Sequence, residues 1–215
     1  MTDGARSDQA AAGGLSQLVA AKRRLRAEIA ANLAELSVAD RDVASRAAVE
    51  RVLAQPYYNE ADQIVVYRAL DDEVDPAALV ERAIADGKSV FLPGVEVGWT
   101  LTFRSWRPGE TLEPDAAGIL HPAAGAPLEQ RSTLSIVPGR AFDPCGGRLG
   151  RGRGCYDSAL ERLAELGPTI GLAFACQVVD RVPCGDRDRP VDGWVTDAQA
   201  HDVDARDRDR RVAGS

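Results

Sequence analysis

Short, almost uninterrupted apolar runs, separated by helical segments, constrain the fold of this chain more than any other feature of its sequence. Residues 63–68 read QIVVYR, residues 88–93 read KSVFLP and residues 133–137 read TLSIV. A strand that is apolar at successive positions has to be covered on both faces, as parallel strands are when helices pack on either side of their sheet. Further strands are predicted at 100–106, 169–174 and 191–196. The pattern therefore predicts an α/β fold with a largely parallel sheet.

Helix signals fall between these runs. Helices are predicted over residues 16–36, 37–53, 75–87 and 156–166. Ser37 is a typical N-cap, and Pro76 and Gly87 stand where the third helix should start and stop. In sheets of this kind, ligands bind at the carboxyl ends of the strands, where loops lead into helices. We therefore expect functional residues in those loops.

The remaining composition bounds the domain and its location. A chain of 215 residues suits one domain, predicted at 15–201, between two disordered tails at 1–14 and 202–215. Because no run of about 18 apolar residues is present, we expect no membrane span. The first residues lack an apolar secretion segment, which favours a cytoplasmic protein whose four cysteines are free thiols.

Charge is distributed unevenly along the chain. The net charge of −7 argues against nucleic acid as a partner, but residues 146–154 read GGRLGRGRG, with three arginines and no acid. Glycines let backbone amides approach a ligand, arginines bind oxyanions, and the helix that follows adds free amides at its N-terminus. This combination predicts a polyphosphate site, although the segment matches neither the Walker A nor the GxGxxG pattern. A solvated loop without a ligand is the alternative.

Two aspartates, Asp157 and Asp192, are candidate ligands for Mg²⁺, which prefers a few carboxylates together with phosphate oxygens and water. Asp143 is a third candidate of lower rank. The structural alternative for Asp157 is a role in the first turn of its helix, where a carboxylate interacts with the helix dipole.

A basic pair lies on the first helix. Lys22 falls within the apolar stripe of that helix and Arg26 follows four residues later, so the two cations share a side of the helix. An anion between them would relieve their repulsion. Ordinary long cations that extend from the helix surface to solvent are the alternative. The apolar stripe consists of Leu18, Leu25, Ile29, Leu33 and Leu36.

Five segments together resemble the 5-formyltetrahydrofolate cyclo-ligase family, whose members are also called 5,10-methenyltetrahydrofolate synthetases. The segments are KRRLR at 22–26, DEVD at 72–75, VPGRAFD at 137–143, GRLGRGRGCYD at 147–157 and PVDGWVT at 190–196. Their order and spacing span most of the chain, and the long glycine block is the most specific of them.

The resemblance implies a three-layer α/β/α sandwich with a mostly parallel Rossmann-like sheet. It also implies a monomer that acts on small molecules, with ATP as co-substrate and Mg²⁺ as cofactor. In the family reaction, ATP phosphorylates the formyl oxygen of 5-formyltetrahydrofolate and N10 attacks the activated carbon. The ring closes to 5,10-methenyltetrahydrofolate, and ADP and phosphate are released.

By the same resemblance, individual residues are expected to have roles. Those expected to bind ATP are Lys22, Arg23, Arg24, Leu25, Arg26, Arg148, Leu149, Gly150, Arg151, Gly152, Arg153, Gly154, Cys155 and Tyr156. Those expected to contact the folate are Arg68, Glu73, Arg151, Gly152, Arg153, Gly154 and Cys155. Arg148, Arg151 and Arg153 are expected to be catalytic, and Asp157 and Asp192 to associate with Mg²⁺.

The chain departs from the usual family pattern at two positions. Arg153 stands where a lysine is usual, and Cys155 stands where the first of two tyrosines is usual. Two alternatives to the cyclo-ligase follow from these departures: a non-enzymatic folate- or nucleotide-binding relative, and a ligase for another N-formyl or amide substrate.

Overall fold

A seven-stranded sheet lies at the centre of the computed structural model, which describes the backbone of residues 4–204 and the side chains of residues 13–204. The helices are α1 (Gly4–Ala34), α2 (Val38–Leu53), α3 (Pro56–Glu60), α4 (Ala77–Ala85) and α5 (Cys155–Ala164). The strands are β1 (Gln63–Val65), β2 (Ser89–Val95), β3 (Leu101–Ser105), β4 (Leu112–Pro114), β5 (Leu120–Pro122), β6 (Thr133–Val137), β7 (Ala141–Phe142), β8 (Arg148–Leu149), β9 (Thr169–Leu172), β10 (Gly193–Val195) and β11 (Ala200–Asp202).

The order of strands in the sheet is β11-β10-β9-β6-β1-β2-β3. All pairs from β2 to β10 are parallel, and only the edge strands β3 and β11 are antiparallel to their neighbours. The chain therefore enters the sheet in its interior with β1, adds β2 on one side, and then returns to add β6, β9 and β10 on the other. The predicted mostly parallel sheet is confirmed.

Helices cover both faces of this sheet, which makes three layers. Ile64 and Val65 are neighbours in β1 and point to opposite faces. Ile64 packs with Ile29 of α1 and with residues of α2 and α4, whereas Val65 packs with Leu163 of α5. The predicted α/β/α sandwich is confirmed, and its central strand β6 is buried along its whole length.

The helix signals read from the sequence act as predicted. The hydroxyl of Ser37 caps α2 by accepting a hydrogen bond of 3.1 Å from the amide of Asp40. Pro76 precedes α4, and Gly87 follows it with a φ of +79°, a conformation in which glycine avoids the strain that other residues would have.

The ends of the domain differ from the prediction. Helix α1 begins at Gly4 rather than at the predicted Ser16, and the run of alanines before Ser16 has a high helix propensity. At the other end, β11 and the buried Val203 extend the fold beyond residue 201. The charged tail predicted at 202–215 lies, from residue 205 onward, outside the described residues.

Two β-hairpins were not predicted. β4 pairs with β5 in one, and β7 pairs with β8 in the other. The second hairpin occupies part of the segment predicted as a single glycine loop, because Arg148 and Leu149 form β8. Within residues 4–204, no helix has both the length and the apolar character needed to cross a membrane.

Candidate functional site

The candidate site lies at the carboxyl ends of β1 and β6, where the order of the parallel strands reverses. After β1 the chain forms a turn that carries Asp72 and Glu73, and after β6 it continues through Gly139 to Arg140. Because the connections that follow these two neighbouring strands lead to opposite sides, a crevice opens between them, and ligands bind in such crevices in open α/β sheets.

Two carboxylates and two arginines form the centre of the site. Arg140 and Arg151 each donate a hydrogen bond to a different oxygen of Asp72. The Nε of Arg151 also donates to Glu73 over 3.0 Å, and the second oxygen of Glu73 accepts from the amide of Leu70 over 3.1 Å. The side chains of Arg140 and Glu73 are 8% and 9% exposed, whereas that of Arg151 is 43% exposed. Arg151 is therefore the member of the cluster that faces solvent.

These contacts favour the charged forms of Asp72 and Arg151. Burial opposes the charge of Asp72, but hydrogen bonds from Arg151 and Arg140 outweigh it and hold the pKa of Asp72 below its usual value. Burial likewise opposes the charge of Arg151, and the carboxylates of Glu73 and Asp72 outweigh it and raise the pKa of Arg151. Around neutral pH the site therefore contains fixed charges of both signs.

The glycine-rich segment divides into a buried hairpin and an exposed loop. Gly146 and Gly147 are buried near the turn of the β7–β8 hairpin, where Asp143 accepts hydrogen bonds from the amides of Cys145, Gly147 and Val182. Only the part from residue 151 to residue 154 is exposed. The expected phosphate loop is thus shorter than the glycine run, and Asp143 organises its base.

Arg148 is buried behind this loop. Its side chain is 3% exposed, and it donates a hydrogen bond of 3.0 Å to Asp157 and one of 3.2 Å to the carbonyl of Pro138. Its guanidinium lies 5.5 Å from the centre of the Tyr156 ring. Arg148 therefore links the end of β6 to the first turn of α5.

The exposed loop leads directly into α5. Gly152 and Gly154 adopt φ values of +103° and +74°, which other residues adopt only with strain. Gly154 precedes the helix and has no side chain that could cap it, so the first amides of α5 are available to an oxyanion. Burial raises the pKa of Cys155, which disfavours its thiolate form.

Helix α1 contributes two more cations, Arg26 to the glycine loop and Lys22 to the connection that carries Asp188. Arg26 donates a hydrogen bond of 2.9 Å from Nε to the carbonyl of Gly150. Lys22 Nζ lies 2.6 and 2.5 Å from the two carboxylate oxygens of Asp188. Burial lowers the pKa of Arg26, and the charge of Asp188 partly offsets this effect. Of the predicted basic pair, Arg26 therefore contacts the glycine loop, and Lys22 binds Asp188, whose charge also acts on Arg26.

One further contact joins the loop to a hairpin of the main sheet. The guanidinium of Arg153 lies 3.9 Å from the centre of the Trp99 ring. Trp99 belongs to the turn between β2 and β3. This is a cation–π distance.

The structure separates the expected site residues into distinct groups. Arg23, Arg24 and Arg68 are exposed, and none of them forms an ion pair with another described residue. Leu25 packs against the core, and Leu149 is 1% exposed, so neither side chain is available to ATP. Those brought together around the crevice are Lys22, Arg26, Glu73, Arg148, Gly150, Arg151, Gly152, Arg153, Gly154, Cys155, Tyr156 and Asp157.

The expected magnesium pair is not brought together. Asp157 lies in the first turn of α5, at the carboxyl edge of the sheet. Asp192 precedes β10 and accepts hydrogen bonds of 2.7 Å from the amide and the hydroxyl of Thr169, which begins β9. Since α5 runs back across the sheet between β6 and β9, its length of roughly 15 Å separates the two edges. Among the described residues, no group of three or more His, Cys, Asp or Glu side chains is arranged to hold a metal ion.

Asp72, Arg140, Asp188 and Trp99 are site residues that the sequence reasoning missed. Asp72 and Arg140 lay in segments already singled out, but their pairing depends on β1 and β6 being adjacent, which spacing does not reveal. Asp188 sits among alternating charges, where nothing marks one carboxylate over another. For Trp99, the signal was a bulky residue directly after Gly98 in a turn.

The sequence of this chain is similar to those of known proteins. Residues 19–197 match the profile of the 5-formyltetrahydrofolate cyclo-ligase family. The chain is 30% identical to the 5-formyltetrahydrofolate cyclo-ligase of Mus musculus over 185 residues, covering 80% of this chain and 91% of that protein. It is 31% identical to the enzyme of the same name from Escherichia coli K12 over 156 residues, covering 69% of this chain and 85% of the relative.

Solved structures agree with this result. The 5,10-methenyltetrahydrofolate synthetase of Aquifex aeolicus superposes with a TM-score of 0.73 at 29% identity, over 85% of this chain and 92% of the other. The 5,10-methenyltetrahydrofolate synthetase of Mycoplasma pneumoniae superposes with a TM-score of 0.65 over 82% of this chain and 98% of the other, and at 20% identity it supports the fold alone.

Proposed function

The chain belongs to the 5-formyltetrahydrofolate cyclo-ligase family, and from this premise we propose that it converts 5-formyltetrahydrofolate and ATP to 5,10-methenyltetrahydrofolate, ADP and phosphate. The formyl oxygen takes the γ-phosphoryl group of ATP as ADP leaves. N10 then attacks the formyl carbon and loses its proton, and phosphate departs with the former formyl oxygen. We further propose that the protein acts as a cytoplasmic monomer.

The observation that carries this proposal is the concentration of cations at one crevice of an acidic chain. The net charge of the whole chain is −7, yet six cations surround the crevice with four carboxylates. The cations are Lys22, Arg26, Arg140, Arg148, Arg151 and Arg153, and the carboxylates are Asp72, Glu73, Asp157 and Asp188. This excess of positive charge suits the phosphates of ATP.

We assign phosphate binding to the cations that solvent can reach. Lys22 and Arg26 approach from α1, and Arg151 and Arg153 from the exposed loop. Phosphoryl transfer depends on positioning and on the neutralisation of charge on the transferred group, so these side chains act by electrostatic stabilisation. The amides at the start of α5 add donors for the same oxygens.

We assign Glu73 to the end of the crevice that binds the folate. This carboxylate is almost buried, is held by Arg151, and lies on the connection that follows β1. A buried carboxylate is a strong acceptor for the paired N–H donors of a pterin ring. Arg68 lies exposed on the same connection, at the rim, where it can meet the charged tail of the folate.

Arg148 acts through its neighbours. Because it is buried and bound to Asp157 and to the carbonyl of Pro138, it fixes the start of α5 relative to β6. We assign it a positioning role, in contrast to the direct contact that we assign to Arg151 and Arg153.

Asp157 is the residue that would hold Mg²⁺. Mg²⁺ needs only one or two protein carboxylates when phosphate oxygens and water complete its shell, and Asp157 supplies one carboxylate beside the phosphate loop. When bound, the ion neutralises charge on the phosphates of ATP. Asp192 does not fit this site, because its carboxylate is bound to Thr169 at the opposite edge of the sheet.

The decisive experiment is a turnover assay with the full chain, 5-formyltetrahydrofolate, ATP and Mg²⁺, followed by the absorbance of the methenyl product and by release of phosphate. We expect equal amounts of both products, none without ATP, and a large loss of rate in Arg151→Ala. Binding of folate and ATP by calorimetry without turnover would instead identify a non-enzymatic relative.

A further inference from the structure

The turn between β2 and β3 contains a tryptophan in a conformation that suits glycine. Trp99 has a φ of +67°, the one non-glycine residue with positive φ in the described part of the chain. Its amide donates to the carbonyl of Glu96 over 3.0 Å, and the amide of Glu96 donates to Thr100 over 2.9 Å, which closes the turn. The backbone of the hairpin therefore requires a left-handed residue at this position whatever its side chain.

A bulky residue at such a position carries strain that glycine or asparagine would relieve. Residues held in strained conformations cluster at sites where the side chain has a use. The use has to come from the indole ring, since the backbone bonds of the turn would form equally well with glycine.

The ring makes one contact of this kind, with Arg153. The guanidinium lies 3.9 Å from the centre of the ring, and the Trp99 side chain remains 37% exposed. Arg140, Arg148 and Arg151 all bind carboxylates, whereas Arg153 has no carboxylate partner among the described residues. The aromatic ring takes the place that an acid occupies elsewhere in the site.

The hairpin that carries the ring is anchored to the helix that follows the loop. Arg162 of α5 donates a hydrogen bond of 2.8 Å to the carbonyl of Leu101, the first residue of β3. Leu101 is 2% exposed and packs in the same cluster as Ala159 and Leu163 of α5. The ring is thus held at a fixed place beside the start of α5, while Arg153 lies on an exposed loop rich in glycine.

We propose that Trp99 is a positioning residue that holds Arg153 beside the phosphate loop in a form that binds the phosphates of ATP. A guanidinium stacked on a ring keeps its charge and directs its edge N–H groups outward. It also meets a phosphate with none of its N–H groups engaged by a carboxylate of the described residues, unlike Arg151. This inference deepens the proposed function and rests on it.

The test compares four single variants of the full chain and one double variant, Trp99→Gly with Arg153→Ala. Trp99→Gly removes the ring and the strain together, so it is expected to fold at least as stably as the native chain. Trp99→Phe keeps a ring in the same place. Val97→Gly is the matched control, because Val97 is in the same turn and is 94% exposed. Arg153→Ala removes the partner.

We expect Trp99→Gly to raise the KM and the Kd for ATP by roughly two- to tenfold, the range that loss of a cation–π contact supports. Its melting temperature should not fall, and the KM for the folate should change little. Trp99→Phe should restore most of the ATP affinity, and Val97→Gly should match the native chain. In the Arg153→Ala background, Trp99→Gly should have no further effect on the Kd for ATP.

Two results would overturn the inference. The first is a native Kd for ATP in Trp99→Gly. The second is that adding Trp99→Gly to Arg153→Ala weakens ATP binding by the same factor as Trp99→Gly does in the native chain. A native chain that binds ATP but does not cyclise the folate contradicts the proposed function instead. The ATP binding measurements still test the role of Trp99 in that case.

Discussion

Asp72 binds two arginines that arrive from different parts of the fold, Arg140 from the end of β6 and Arg151 from the glycine loop. A carboxylate that accepts hydrogen bonds from two guanidinium groups stays ionised, and its charge offsets the repulsion between the two cations. Glu73, its neighbour, accepts hydrogen bonds from one guanidinium, that of Arg151, and from the backbone amide of Leu70. Asp72 thus pairs with cations within the protein, whereas we assign Glu73 to the folate as a proposal.

Acid should weaken the fold through Asp72. Its pKa is below the usual value in the folded chain, so its contribution to stability is complete above the pKa of the unfolded state, about 4. That contribution is lost as the pH falls through the lower pKa of the folded state. We expect the difference in melting temperature between the native chain and Asp72→Asn to be constant from pH 5 to 7 and to shrink below pH 4. Thermal unfolding followed at a series of pH values measures this, and a difference that grows in acid contradicts it.

Glu73→Gln should separate the two substrates. Loss of a charged acceptor for the pterin is expected to raise the KM for 5-formyltetrahydrofolate by roughly ten- to a hundredfold, the range for hydrogen bonds to charged groups. The KM for ATP should change much less. Steady-state kinetics with each substrate varied in turn checks this, with Glu28→Gln on the exposed side of α1 as the control. Equal effects on both KM values would argue for a general distortion of the site.

At the level of elements, the β7–β8 hairpin determines where the phosphate loop begins. Phe142 of β7 is fully buried and lies against Gly171 of β9, so the hairpin depends on a position without a side chain. A Cβ at Gly171 would overlap the Phe142 ring. The hairpin, and with it the loop from residue 151, is fixed by this packing.

Gly171→Ala should therefore destabilise the chain by about 1–3 kcal/mol, the usual cost of overpacking a core. Shortening the neighbour should relieve the clash, so the effects of Gly171→Ala and Phe142→Leu are expected to be less than additive. Denaturant unfolding of the two single variants and the double variant measures the coupling. Strict additivity would show that the two side chains do not share this space.

At the level of the whole molecule, ATP should stabilise the fold because only the folded chain assembles its site. At a free concentration a hundredfold above Kd, binding adds about 2.7 kcal/mol to the free energy of unfolding. We expect a matching rise in melting temperature with ATP and Mg²⁺ for the native chain, and a smaller rise for Lys22→Ala at the same concentrations. A scan with sodium sulfate of equal ionic strength controls for salt. An equal rise in both proteins would place Lys22 outside the ATP site.

The sequence predicted the layers and the helix signals of this molecule well, because they depend on local patterns. Buried strands such as β6 are apolar throughout, and Ser37 caps its helix within the next three residues. Where α1 begins could not be predicted, since alanine and glycine before Ser16 are compatible with both helix and coil.

Motifs in the sequence identify candidate residues of the site but not the contacts between them. Lys22, Arg26, Glu73 and Arg151 were named from motifs, but their partners depend on which strands lie side by side. The resemblance pairs Asp192 with Asp157 as magnesium-associated acids, but the path of α5 across the sheet separates them. Contacts such as Lys22–Asp188 become visible only when the strand order is known.

The strand order also has a consequence for the order of events during synthesis. Lys22 leaves the ribosome early, but its carboxylate partner follows 166 residues later. Before residues 133–151 have followed, β1 has neither β6 beside it nor the loop that brings Arg151 to Glu73. We therefore expect ATP to stabilise a nascent chain only after the segment that carries Asp188 has also been translated.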